Sequence, residues 1–236
     1  SDPHRRCNGR SSLCGVVTWL SRGRPVDPDR LAEALGALKH RGPDACGQIV
    51  LDLTSGGGRS VSVGLAHARL SILDPTARAD QPFRRGDHVL CYNGEIYNFR
   101  ELALRHDLSS ALTTTGDTEV LVALLSTTGL GSLSQARGMW AFTWLDMARR
   151  RLVAARDRYG KKPLFYIAGP SEIVFASEIG ALQALAGAVF SIRDEALATY
   201  LAEGWLFPRP DGRTHLERVR EVRPGHALTV DIDTWT

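Results

Sequence analysis

Short β-branched, apolar runs recur along the chain, with helical stretches set among them in clusters. Residues 14–19 have the length and composition of a strand. A turn follows at 21–25. Asp27 then caps a helix, with Pro28 at the first helical position, where a missing N–H costs nothing. Leu31, Leu35 and Leu38 give this helix one apolar face, and Gly42-Pro43 stops it. Residues 48–53 and 61–70 read as strands of a hairpin turning at Gly56-Gly57-Gly58. In the second strand Leu65, His67 and Arg69 share one face, and Ala66, Ala68 and Leu70 the other. A strand at 89–92 ends in a turn at Asn93-Gly94, and a helix is expected over 98–106. Asp117 and Glu119 open a helix that runs through Leu125 and closes at Gly129. Strand-like runs follow at 140–145, 151–155, 164–167 and 173–176, helices at 177–185 and 194–203, and a last strand at 227–232. So many strands on hairpin-length links predict an α+β layered domain; without strict β-α alternation, a doubly wound sheet or barrel is disfavoured. The 194–203 helix and the 208–212 loop read as peripheral additions.

Composition narrows the function. The chain has 236 residues, enough for one large domain or two small ones. Its 29 basic and 26 acidic residues leave a net charge of +3, which gives no reason to expect a nucleic-acid partner. No apolar run approaches the roughly 20 residues of a membrane helix. Residues 1–13 are polar and arginine-rich, unlike a signal peptide, and read as a leader, a propeptide or a misassigned start. The expected compartment is the cytoplasm. Cys7, Cys14, Cys46 and Cys91 form no C-x-x-C pair, so no metal site is expected.

Each candidate for chemistry has a bland reading beside a functional one. Cys14 is a small core residue, or a nucleophile at the tip of a strand. Arg69 is a solvent-facing strand residue, or a clamp for a carboxylate. Asn93-Gly94 is a hairpin turn, or an oxyanion hole made of a side-chain amide and a backbone N–H. Asp117 is a helix cap, or the receiver of an ammonium group. The charges of Asp157-Arg158-Tyr159-Gly160 form a solvated turn, the run Arg149-Arg150-Arg151 is an exposed turn, and His67 is a strand residue with a backbone partner.

In order, these pieces are similar to a known family. Cys14-Gly15-Val16-Val17, His40 to Asp44, Arg69 to Ile72, Gln81-Pro82, Asn93 to Asn98 and Gly116 to Glu119 resemble the class II glutamine amidotransferase domain, above all that of glutamine-hydrolysing asparagine synthetases. Ala155 to Gly160, Lys162-Pro163, Phe175 to Glu178 and Arg223 to His226 extend the resemblance over roughly 14–232. It implies an N-terminal-nucleophile hydrolase fold, a four-layer αββα sandwich of two facing antiparallel sheets. It implies that Cys14 attacks the side-chain amide of glutamine and that Asn93 and Gly94 hold the oxyanion. It further implies that Arg69 meets the α-carboxylate, that Glu95 and Asp117 meet the α-ammonium, and that Leu70, Ser71, Ile72 and Leu73 line the pocket. Glutamate and ammonia are the products.

Two departures follow. In the family the nucleophile is the first residue, and its α-amine, with pKa about 7.7–8.0, serves as the base. Here Leu13 precedes Cys14, so the expectation is a start at Leu13 or a cut after it, with residues 14–236 as the glutaminase domain. The family's C-terminal synthetase domain, which uses ATP and magnesium to activate aspartate, is expected to lie outside these residues, and no cofactor is expected in this domain. A partner synthetase domain in cis or trans is implied, and a homodimer is a family expectation. A non-catalytic binding domain, or a glutaminase serving another acceptor, stands as the alternative.

Overall fold

The computed structural model describes residues 13–54, 60–71, 73–206 and 209–236. Strand β1 (Gly15–Arg22) is followed by α1 (Pro28–Gly36), β2 (Ala45–Thr54) and β3 (Ser60–Arg69). Then come β4 (Phe83–Arg85), β5 (His88–Ile96), α2 (Phe99–Arg105) and α3 (Asp117–Thr128). The chain continues through β6 (Gly138–Asp146), β7 (Arg151–Arg156), β8 (Phe165–Ala168), β9 (Glu172–Ala176) and α4 (Ile179–Ala186). Helix α5 (Asp194–Glu203), β10 (Arg220–Glu221) and β11 (Ala227–Asp231) complete the order. The expected leader falls on residues outside the described ones, except for Leu13, and so does the tip at Gly56-Gly57-Gly58. The hairpin itself is present, with β2 and β3 antiparallel from Ala45↔Arg69 to Thr54↔Ser60.

The strands form two antiparallel sheets. One has the order β10-β8-β9-β1-β3-β2 and the other β11-β7-β6-β5-β4. Period-two alternation places the long strands in two cores at once. From β1, Val17 and Trp19 pack under α1 and α4, while Val16 and Leu20 enter the layer between the sheets. From β5, Leu90 and Tyr92 pack against α2 and α3, while Val89 and Cys91 face the other sheet. The result is helices, sheet, sheet, helices, as the αββα expectation required. Thr18 of β1 and Thr143 of β6, both fully buried, share a 2.6 Å hydrogen bond between their hydroxyls.

Helix α1 starts where its cap predicts: Asp27 Oδ1 accepts from Asp29 N at 2.9 Å, an interaction worth about 1 kcal/mol. Helix α5 buries none of its residues, consistent with a peripheral addition. The short strands β4 and β10 were not anticipated. Among the described residues, no helix is long and apolar enough to cross a membrane.

Several local expectations need correction. Asn93-Gly94 is not a turn. Strand β5 runs on to Ile96, with Asn93 opposite Ala141 and Gly94 opposite Trp140. A Cβ on Gly94 would stand 2.4 Å from Met139 O, so only glycine lets β6 approach this closely. Arg69 is not solvent-facing but 5% exposed, because a second sheet covers that face of β3. The arginines at 149–151 do lie at an exposed turn, with Arg149 57% exposed, but they are paired. Arg149 Nη1 lies 3.1 Å and Arg151 Nε 3.4 Å from the carboxylate of fully buried Asp146, and Arg150 pairs with Asp233 at 2.9 Å. Asp157 is buried as well, not part of a solvated loop.

Candidate active site

The start of β1, the end of β3 and the end of β5 meet at one edge of the space between the sheets, and the N-terminus of α3 joins them. Cys14, Arg69, Asn93, Gly94, Glu95 and Asp117 line one cavity there. These six expected site residues are therefore brought together, although 103 positions separate the first from the last.

Cys14 is half-buried. Its Sγ accepts from Leu70 N–H at 3.4 Å, and its carbonyl accepts from Arg41 Nε at 3.1 Å. Burial pushes the thiol up, while the Leu70 N–H and the charges of Arg69, Lys162 and Arg41 draw it back down. Burial outweighs these, so the thiol stays above its ordinary range and needs a base to become the thiolate.

Asn93 is 1% exposed, and its side-chain Nδ2 has no hydrogen-bond partner among the described residues. A buried N–H left unpaired costs about 1–3 kcal/mol. The strand carrying it is held firmly. Gln81 grips Tyr92 on both sides: its Oε1 accepts from Tyr92 N at 2.6 Å and its Nε2 donates to Tyr92 O at 3.2 Å. His67 Nε2 donates to the same carbonyl at 2.9 Å, as its strand reading anticipated. The unpaired amide thus belongs to a residue of a well-anchored strand that lines the same cavity as Cys14.

The charged groups divide the cavity wall. Arg69 Nη1 bonds Asp80 Oδ1 at 2.5 Å and Thr76 O at 3.1 Å, and Nη2 bonds the carbonyls of Leu73 and Asp74. Asp117 is the first residue of α3 and does not cap it; Gly116 holds the cap position. The Asp117 Oδ2 accepts instead from Tyr92 Oη at 2.7 Å and from Ile96 N at 2.8 Å. Burial raises its pKa, these two donors lower it, and the charge of Glu95 raises it further. Leu70 and Leu73 line the cavity as expected. Ser71 turns its N–H to Asp44 Oδ2 at 2.7 Å, and Ile72 lies outside the described residues.

Other residues at the site carried motif signals but no assigned role. Lys162 is 3% exposed and lines the cavity. Burial and the charge of Arg41 lower its pKa, while Cys14, Glu95 and Asp157 raise it. Asp157 holds the turn that delivers it, accepting from Trp140 N at 3.1 Å, Tyr159 N at 2.9 Å and Lys162 N at 3.2 Å. Arg156 donates to Lys162 O at 2.8 Å and pairs with Glu221 at 2.9 Å. Arg41 pairs with Glu178 at 2.7 Å, and Ser177 Oγ accepts from Val16 N at 3.0 Å. The segments around His40 and Glu178 therefore brace the backbone at Cys14.

Two facing antiparallel sheets between helical layers, with a cysteine at the leading end of a central strand, define the class of fold. The fold resembles that of glutamine phosphoribosylpyrophosphate amidotransferase from B. subtilis, with a TM-score of 0.62 and 21% identity, over 92% of this chain and 47% of that one. The glutamine amidotransferase domain family matches residues 13–236, and the chain belongs to it. A Methanocaldococcus jannaschii protein described as a glutamine-hydrolyzing asparagine synthetase is 31% identical over 216 residues, 84% of this chain and 40% of that protein. The amidase chry2 of Gibberella zeae is 35% identical over 234 residues, 92% of this chain and 32% of that protein. Asparagine synthetase [glutamine-hydrolyzing] 2 of Bacillus subtilis is 40% identical over 177 residues, 72% of this chain and 22% of that protein. The chain thus spans between 22% and 40% of the length of these three relatives.

Proposed function

We propose that this domain hydrolyses glutamine to glutamate and ammonia through a thioester on Cys14. The carrying observation is the buried, unpartnered Nδ2 of Asn93 in the cavity that Cys14 lines. An N–H kept unpaired inside a fold finds its acceptor in an oxygen that develops charge during reaction.

In this reading Sγ of Cys14 attacks the side-chain carbonyl carbon of glutamine. The carbonyl oxygen becomes an oxyanion between Asn93 Nδ2 and the Gly94 N–H. The C–N bond then breaks, the nitrogen takes up a proton and ammonia leaves. Water attacks the thioester, the C–S bond breaks, and glutamate and the thiol are released. The proton carrier is the α-amine of Cys14 once residues 1–13 are removed; while Leu13 is attached, that nitrogen is an amide and cannot carry the proton. Arg69 takes the α-carboxylate, and Glu95 and Asp117 take the α-ammonium. One cation and two anions thus read a zwitterion.

The ammonia passes to a synthetase domain that uses ATP and magnesium to amidate aspartate. The named asparagine synthetases among the relatives support this acceptor, and their greater length supports a further domain. Leu197, Tyr200, Leu201 and Trp205, exposed on and just after α5, support a partner surface on that side.

The test is glutamate release from glutamine by the full chain, by a form beginning at Cys14, and by its Cys14→Ala variant. Release only by the form beginning at Cys14 is expected. Undiminished release by the alanine variant would overturn the proposal, and silence from every folded form would leave a glutamine-binding domain without turnover.

A further inference from the structure

The reading above assigns the α-carboxylate of glutamine to Arg69, yet the terminal nitrogens of Arg69 are already engaged. Nη1 donates to Thr76 O and Asp80 Oδ1, and Nη2 to the carbonyls of Leu73 and Asp74. Those four bonds use every hydrogen on the two terminal nitrogens. A carboxylate that bonds a terminal nitrogen must therefore take over a place that one of these acceptors holds.

The four acceptors are not equal. Three are main-chain carbonyls of the 73–76 turn, and that turn is pinned. The carboxylate of Asp74 accepts from Thr76 N at 3.2 Å, Thr76 Oγ1 at 2.5 Å, Thr115 N at 2.8 Å and Thr115 Oγ1 at 3.2 Å. These bonds, led by the Thr115 N–H, lower its pKa to about 2. The fourth acceptor is the side chain of Asp80. It is 42% exposed, so it can turn into water without breaking the fold, whereas the Arg69 side chain is 7% exposed and cannot follow.

We propose that Asp80 stands in for the substrate's α-carboxylate: it pairs with Arg69 until glutamine arrives and is then displaced by the same chemical group. This inference rests on the assignment of Arg69 to the α-carboxylate. Exchange of one carboxylate for another keeps the buried guanidinium compensated at each stage, which avoids an unpaired buried charge. It also makes Asp80 a determinant of specificity. A ligand with the same side-chain amide but no carboxylate has nothing with which to displace Asp80, so the site favours the free amino acid over neutral amides.

The test uses the full chain carrying Cys14→Ala, so that binding is read without turnover. L-glutamine and L-glutaminamide, whose α-carboxylate is replaced by a neutral amide, are titrated by calorimetry with and without Asp80→Asn or Asp80→Ser. Both Asp80 variants should tighten L-glutamine about two- to fivefold, the scale of a partly exposed ion pair, and leave L-glutaminamide unchanged. Weaker glutamine binding would mean that Asp80 orients Arg69, and would overturn the inference. An unchanged Kd, or an equal change for both ligands, would overturn it as well. If no folded form bound glutamine, the glutamine reading itself would fail and this inference with it.

Discussion

Tyr92 Oη donates to Asp117 Oδ2 at 2.7 Å, tying β5 to the first residue of α3 through a buried bond. Burial already pushes the Asp117 carboxyl above its ordinary range, and the tyrosine hydroxyl is one of the donors that hold it down. In Tyr92→Phe that donor is lost, and Asp117 should take up its proton at higher pH. The acid limb of kcat/KM for glutamine is then expected to move up by about one pH unit. A pH profile of the two proteins checks this; an unmoved limb would remove Asp117 from the ammonium site.

Replacement of Asn93 by alanine should separate catalysis from stability. The lost Nδ2 has no partner in the folded domain, so its removal breaks no hydrogen bond there. We expect kcat to fall about 10²–10³-fold with little change in KM, and Tm to hold. Steady-state kinetics and a thermal melt decide it, and a large loss of Tm would place Asn93 in the scaffold instead.

The charge of Lys162 is one of those that draw the Cys14 thiol down, after the Leu70 N–H and Arg69. Lys162→Met should shift the pH midpoint of Cys14 alkylation by iodoacetamide upward, and Lys162→Arg should restore it. Cys46 is exposed and is replaced by serine for this measurement, together with Cys7; Cys91 is buried, which pushes its thiol far up and keeps it silent. The groups acting on Lys162 itself are Arg41, Cys14, Glu95 and Asp157. Equal midpoints in all three proteins would contradict the electrostatic role.

His67 sets a pH limit on the fold. Burial lowers its pKa from 6.5 to about 4, with the Tyr92 carbonyl opposing the shift. Its Nε2–H is used on that carbonyl, and Nδ1 has no partner among the described residues to share a second proton. Between about pH 6.5 and 4 the unfolded chain binds this proton and the folded one does not, so stability falls as pH falls. The contribution approaches about 3 kcal/mol at the acid end. Urea unfolding across that window should show a weaker pH dependence in His67→Gln.

Element order was readable from the sequence because its signals are local: the Asp27 cap, the Pro28 start and the period-two runs of β1 and β3. Burial was less readable. Alternation put His67 and Arg69 on one face of β3, but a strand does not announce that a second sheet will cover that face. The Asn93-Gly94 pair failed for a related reason. Its turn preference is local, and it yields to nine paired positions between β5 and β6 that lie more than forty residues apart in sequence. Lys162 and Gln81 were visible only as parts of motifs. What they do depends on a local turn at Asp157 that carries Lys162 into the cavity, and on the backbone of Tyr92 in a different strand.

The Thr18–Thr143 bond has a mechanical consequence. It acts as a dowel through the middle of the sandwich. Sliding one sheet past the other would strand two buried hydroxyls, at about 1–3 kcal/mol each. Cys14 hangs from the first sheet and Asn93 from the second. The gap between nucleophile and oxyanion donor is therefore gauged by a pair of threonines that touch neither.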